Sequence, residues 1–272
     1  MAPVVDRFVI IESWETHSGR VKKEKLWKDV HADIFAPYAD KIEWMILDTL
    51  GPVQEGVPLS SEEVWKREHA QRNAPTDWLR SQEGPWIALI CDVDEIVSPA
   101  AISNAKSMPK SFDMPCSLEM DFFYYNFNWV KGDKWYAVYI ISDTGVATLV
   151  EKYDASGKIL VTLSTLRDHF ITTRGHFKRG AIQSAGWHAS FFASTEEIQR
   201  KLRSYSHQEW NTAEYTSAEH ITKCITSGAD LFTRGGAEDL IAFDVTGLPQ
   251  SFQKFNDQVK SMQGIPSNLP NT

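Results

Sequence analysis

Apolar residues fall into short unbroken runs in the first third of the chain, and each run stops abruptly at polar residues. Arg7 to Ile11 (RFVII), Ile42 to Leu47 (IEWMIL) and Trp86 to Cys91 (WIALIC) have strand length and no polar alternation, the pattern of strands covered on both faces. Between the first two, Lys22 to Phe35 carries Leu26, Trp27, Val30 and Ile34 at helical spacing, and Pro37 stops it. Ser60 and Glu63 have the capping-box spacing and predict a helix through Val64, Trp65, Glu68, His69 and Arg72, which Pro75 interrupts or ends. The order β-α-β-α-β predicts a parallel, nucleotide-binding half-sheet.

The pattern then changes. Cys116 to Trp129 alternates at first, with Ser117, Glu119 and Asp121 on one side and Leu118 and Met120 on the other, before becoming aromatic throughout. Trp135 to Ser142 reads as another strand, and Thr144 to Phe177 as mixed short elements. Ser184 to Phe192 (SAGWHASFF) is followed by Ser194 and Glu197 in capping-box spacing and an amphipathic helix through Ile198, Leu202 and Tyr205 to His207. Ala218 to Ser227 is a further helix with Gly228 as its C-cap, and Ile265 to Thr272 a frayed tail. The expected organisation is one domain over residues 1–264 in two halves, 7–114 and 115–264, with residues 265–272 as a flexible tail.

Composition narrows the class. At 272 residues, 42% hydrophobic and 12% aromatic, the chain has ample material for a core. A formal net charge of −8 argues against nucleic acid or an anionic membrane as the main partner, because both select basic surfaces. A nucleotide remains allowed, since a local metal or arginine suffices. No run approaches the roughly 18 apolar residues of a membrane span, and no secretory leader pattern is present. Cys91, Cys116 and Cys224 are odd in number and far apart, the pattern of buried thiols in a reducing compartment. The expectation is a soluble, cytoplasmic protein.

The chemistry-bearing stretch is Pro85 to Pro99, PWIALICDVDEIVSP. Asp92, Asp94 and Glu95 follow the apolar run at once, at the strand end where open α/β sheets place ligands. Carboxylates one residue apart on extended chain can point the same way, and Mg²⁺ or Mn²⁺ prefers carboxylate, phosphate and water oxygens. A diphosphate-holding metal site is one reading; acids that cap the next helix or face water are the other.

Seven segments then occur in one order: FVIIES (Phe8 to Ser13), DKIEWMILD (Asp40 to Asp48), WKREHAQRN (Trp65 to Asn73), CDVDEI (Cys91 to Ile96), YYNFNW (Tyr124 to Trp129), AGWHASFF (Ala185 to Phe192) and KLRSYSHQE (Lys201 to Glu209). Together they resemble glycosyltransferase family 17, over about residues 7 to 235. The resemblance implies a GT-A-type fold with a Rossmann-like, mostly parallel central sheet flanked by helices. It implies an inverting transferase that moves a sugar, of GlcNAc type or another, from a UDP-sugar to a glycan hydroxyl with Mn²⁺ or Mg²⁺. Residues 7–114 would then bind the nucleotide sugar and residues 115–264 the acceptor. Unlike the Golgi-anchored animal member, this sequence shows no anchor, and its Ser117 to Asp121 segment departs from that member, so its acceptor need not be an N-glycan.

The resemblance also distributes roles. Asp92 and Asp94 match the DxD motif, Asp94 as direct metal ligand and Asp92 as contact to ribose or to water on the metal. Glu95 is a supporting acceptor or the N-terminal charge of the next helix. His188 is a third metal ligand or a diphosphate contact, or else a core histidine, with His207 as the fallback. Trp187 stacks on a sugar or belongs to the core. Glu12, Ser13 and Asp48 end the first two strands, where uracil and ribose would lie, and Asp48 would accept the uracil N–H. Arg72 and Asn73 would approach the nucleotide; the alternative for Arg72 is an i,i+4 pair with Glu68. Inversion needs a base opposite the leaving group, and Asp121, then Glu119, is the expected choice, structural pairing with lysine or arginine being the alternative. Two other classes stay open. One is a haloacid-dehalogenase-like phosphatase using Asp92 as nucleophile, against which stand the two preceding β-α units and Ile96. The other is a non-catalytic sugar-binding module on the same scaffold.

Overall fold

The computed structural model describes residues 1–22, 26–54, 56–149, 162–176, 180–232 and 240–265. Strands β1 (Phe8–Ser13) and β2 (Ile42–Leu47) pair in parallel, from Phe8 opposite Ile42 to Ser13 opposite Leu47. The helix expected from Lys22 to Phe35 is instead two single turns, α1 (Trp27–Val30) and α2 (Ala32–Phe35), with a 3₁₀ turn over Ala36–Lys41. His31, at φ −115° and ψ 27°, leaves the helical region and breaks the run. Trp27, Val30 and Ile34, spaced as a buried face, are exposed. Residues 23–25 of that expected helix lie outside the described residues.

Helix α3 (Ser61–Asn73) begins at a complete capping box, Ser60 accepting from the Glu63 N–H and Glu63 from the Ser60 N–H. It ends at Ala74, and Pro75 is the N-cap of α4 (Thr76–Ser81). Arg67 of α3 is buried and ties the chain after β1 to this helix, donating to Glu15 at 2.6 Å and to the Gly51 carbonyl at 2.7 Å.

Strand β3 (Ile87–Ile90) is covered on both faces: Trp86, Ala88 and Ile90 pack against one cluster with Tyr139, Leu166 and Phe170, and Ile87, Leu89 and Cys91 against another with Ala101, Ile102 and Met120. Its partner is nevertheless antiparallel, β7 (Tyr139–Ser142). This corrects the parallel half-sheet expected of it, because an apolar run reports cover on two faces and not the direction of the neighbouring strand. The sheet continues through β5 (Cys116–Tyr124) to β6 (Trp129–Val130) and β9 (Ile241–Ala242). Off that path, β8 (Ile182–Ser190) pairs parallel with β5 and antiparallel with β4 (Glu95–Val97). Among the described residues parallel pairing is confined to β1–β2 and β5–β8. The fold is mixed α/β.

The remaining helices are α5 (Pro99–Ser107), α6 (Asp143–Leu149), α7 (Leu163–Thr172), α8 (Thr195–Ser204), α9 (Ala218–Ser227) and α10 (Gln250–Met262). Helix α8 opens at the expected Ser194–Glu197 capping box, and α9 closes on Gly228 at φ 69°. The stretch expected as mixed elements holds α6 and α7, while residues 150–161 and most of the expected tail, residues 266–272, lie outside the described residues.

Candidate active site

Where β3 runs out, Asp92 to Asp94 form a tight turn closed by the Glu95 N–H on the Asp92 carbonyl at 3.1 Å. The buried Glu95 carboxylate accepts the Asp92 N–H at 2.5 Å, so the turn is held from inside. Three helices then deliver a cation each. Arg72 of α3 donates to Asp92 Oδ1 at 2.8 Å, and Arg167 of α7 donates to Asp92 Oδ2 at 2.6 Å. Arg167 also grips both oxygens of Glu95, at 2.8 and 3.1 Å, while Trp135 Nε1 donates to Glu95 at 2.5 Å. Lys201 of α8 lies 2.9 Å from Asp94 Oδ2.

Burial by itself would raise the Asp92 carboxyl, but the Arg167 and Arg72 guanidinium groups outweigh it and hold it below the ordinary carboxylate range. Asp94 behaves alike: burial opposes ionisation, and Lys201 with His188 drives its pKa well below that range. Both carboxyls are therefore charged at neutral pH. The neighbouring Cys91 thiol is pushed up to about 12 by burial and by Glu95 and Asp92, which leaves it protonated and unreactive.

His188 reaches this turn through the β4–β8 ladder, where it stands opposite Glu95, and the Ala189 N–H donates to the Asp94 carbonyl at 2.8 Å. Its ring stacks on Phe122 at 4.6 Å and leans on Trp135 at 4.4 Å. Nε2 points to Asp94 Oδ1 at 3.8 Å, and Nδ1 is buried with no hydrogen-bond partner among the described residues. Gly186, two residues earlier, permits the close approach of β4: a Cβ there would sit 2.2 Å from the Ile96 carbonyl oxygen.

Of the expected site residues, Asp92, Asp94, His188 and Arg72 come together. Arg72 also makes the anticipated pair with Glu68, and so serves both readings at once. Asn73 does not reach the turn; it exchanges hydrogen bonds of 3.0 Å with Ser164 and fastens α3 to α7. Glu12 accepts the N–H groups of Trp27 at 2.9 Å and Lys28 at 3.4 Å, and buried Ser13 accepts from the Glu15 N–H at 3.1 Å. Asp48 is exposed at the end of β2. Trp187 packs edge-on against Phe252 of α10. His207 bonds Glu209 at 2.7 Å and packs on Trp65.

Asp121 and Glu119 are not brought to this cluster. Asp121 stands opposite Trp187 on β8, whereas Phe122, His188 and Glu95 share the next position of the ladders. Successive residues of a strand face opposite ways, so Asp121 lies on the far face of the sheet from His188. It pairs there with Lys134 at 2.5 Å, and Glu119 accepts from the Tyr136 hydroxyl at 3.1 Å. Sequence reasoning missed Arg167 and Lys201. The signal for Arg167 was present, because Leu163, Leu166 and Phe170 have helical spacing around it.

The residues present fit a divalent cation in a restricted way. Among the described residues no three His, Cys, Asp or Glu side chains form a cation-holding cluster. Each oxygen of Asp92 already accepts from an arginine, while 38% of its side chain stays exposed. Asp94 Oδ1 and His188 Nε2, 3.8 Å apart, are near enough for one ion to touch both at about 2.0–2.2 Å, and they must draw together to the roughly 3 Å between neighbouring octahedral ligands to hold it well. A pair of donors leaves the remaining positions to waters and to oxygens of substrate phosphates.

The family model for glycosyltransferase family 17 matches residues 1–238 of the 272. The chain belongs to that family. No curated protein and no solved structure matches it. Membership makes the family 17 chain a glycosyltransferase by class, with a sugar donor and an acceptor as substrates. The matched span contains the Asp92–Asp94 turn, Arg72, Arg167, His188 and Lys201. Among the described residues of this family 17 chain, no helix is long and apolar enough to cross a membrane.

Proposed function

We propose that this family 17 chain transfers a sugar from a UDP-sugar, of GlcNAc type or another, to a hydroxyl of a glycan, with inversion and on a GT-A-type arrangement of its strand ends. The observation that carries the reading is the convergence of Arg72, Arg167 and Lys201, from three helices, on the two aspartates of one strand-end turn. Cations gathered in that number around a DxD turn suit an anionic diphosphate.

Each residue then has a task. Arg72 and Arg167 hold Asp92 ionised and fixed, so that its exposed edge, 38% of the side chain, is oriented toward ribose or ordered water. Asp94 Oδ1 and His188 Nε2 are the protein donors to Mn²⁺ or Mg²⁺, whose contribution is Lewis-acid neutralisation of the diphosphate as it departs. Phe122 and Trp135 fix the His188 ring against this turn. Asp92 as a phosphatase nucleophile is disfavoured, since both its oxygens accept from guanidinium groups. The base that takes the acceptor's proton is assigned to the His188 face of the sheet, not to Asp121 or Glu119.

A panel of nucleotide sugars tests this reading. Stabilisation of the folded protein by UDP-sugars with Mn²⁺, and slow UDP release, are the expected results. Stabilisation by GDP- or CMP-sugars alone refutes the uridine part. Phosphate release from p-nitrophenyl phosphate without sugar transfer replaces the transferase by a phosphatase, and binding without turnover by a sugar-binding module.

A further inference from the structure

One carboxylate, Asp94, faces two partners at once: Oδ2 lies 2.9 Å from Lys201 Nζ, and Oδ1 lies 3.8 Å from His188 Nε2. The Lys201 ammonium also sits 4.9 Å above the ring of Phe191. Phe191 has φ 61°, a left-handed conformation that a bulky side chain rarely adopts, so the surroundings hold that ring in place at a cost. Lys201 is thus aimed at Asp94 by two features, a carboxylate and a strained aromatic platform. Its stem is half-exposed and flexible, unlike the buried fork of Arg167.

We propose that Lys201 and a divalent cation compete for Asp94, and that the diphosphate of the donor resolves the competition by accepting Lys201. The inference rests on the donor and cation reading above and adds to it the order in which the site is filled. A doubly charged ion at Asp94 and an ammonium within a few ångströms repel each other, so binding of the ion requires Lys201 to leave. The ion alone gains little for that displacement. Among the described residues it finds Asp94 and His188, and a metal-ligating imidazole normally donates its other N–H to an acceptor, which Nδ1 of His188 lacks among those residues. A diphosphate supplies both missing parts, oxygens for the ion and a new anionic partner for Lys201. Cation and nucleotide are therefore positively coupled ligands, and the coupling is reciprocal.

The experiment titrates the full-length protein with Mn²⁺, following the free ion by electron paramagnetic resonance, with and without saturating UDP. Wild type is expected to hold Mn²⁺ weakly alone and at least about tenfold more tightly with UDP, within the roughly 5–150-fold range of such couplings. Lys201→Met is expected to bind Mn²⁺ alone about tenfold more tightly than wild type and to respond less to UDP, keeping only the part that comes from phosphate oxygens on the ion. Lys201→Arg, which keeps the charge, should keep the coupling, and Lys201→Gln replaces the methionine variant if that one fails to fold. Equal Mn²⁺ affinities for wild type and the neutral variants, with equal response to UDP, overturn the competition while leaving the cation reading intact. A wild type that binds UDP but takes up no Mn²⁺ under either condition overturns the cation reading and the competition with it.

Discussion

Arg167→Met removes the one guanidinium that Glu95 shares with Asp92, and its cost can be worked from the geometry. Glu95 is fully buried, and in wild type its two oxygens receive Arg167 at 2.8 and 3.1 Å, Trp135 at 2.5 Å and the Asp92 N–H at 2.5 Å. Removing one partner of a buried pair typically costs about 3–5 kcal/mol, mostly as the penalty of the charge left behind. The variant should therefore be less stable than wild type by about 3–5 kcal/mol in urea unfolding at pH 7. Adding Glu95→Gln should recover much of the loss, because it removes the buried charge that Arg167 no longer meets. A single variant within about 1 kcal/mol of wild type, or a double variant no more stable than the single one, would refute the buried-pair account.

Four further outcomes are expected. Asp94→Ala, folded, should lose at least about a hundredfold in sugar transfer with Mn²⁺, since a cation supplies several kcal/mol of charge stabilisation; near-normal turnover would count against the cation site. Asp121→Asn should keep transfer within a few-fold of wild type, as a residue on the far face of the sheet; a loss of about 10²–10⁴ would reinstate it as the base. Gly186→Ala should lower stability by about 1–3 kcal/mol in denaturant unfolding, because its Cβ would meet the Ile96 carbonyl oxygen at 2.2 Å. His69 is raised above the ordinary histidine value by its hydrogen bond to Asp168, against burial. Its contribution is complete below about pH 6.5 and lost as pH rises through the folded value, so the melting-temperature advantage of wild type over His69→Gln should shrink with rising pH; a constant difference would exclude the pair.

What the sequence made legible was local. Capping boxes at Ser60 and Ser194, the Gly228 C-cap and the strand-end acids need only neighbouring residues to be recognised. The direction of strand pairing is not local. The cover of β3 on both faces could be read from Trp86 to Cys91, but its antiparallel partner lies about fifty residues away, at Tyr139–Ser142. The site divides the same way. Asp92 and Asp94 announce themselves by spacing, whereas Arg167, 75 positions from Asp92, and Lys201, 107 from Asp94, join them only through packing of α7 and α8. The side on which Asp121 lies is non-local for a related reason: alternation shows that Glu119 and Asp121 share a face, but only the register against β8 says which face that is.

The ladder that seats His188 opposite Glu95 also bears on how the chain can change its length. A deletion or insertion of one residue between Gly186 and His188 would turn that side chain to the far face, and would put Trp187 or Ala189 in its place. Repacking of side chains does not reverse such a slip, because the register runs unbroken from Gly186 opposite Met120 to Ser190 opposite Tyr124. Length variation is therefore shut out there, and is absorbed instead at the irregularity just ahead of it, where Leu118 to Met120 faces Ile182 to Gly186 and Ser184 has φ 51°.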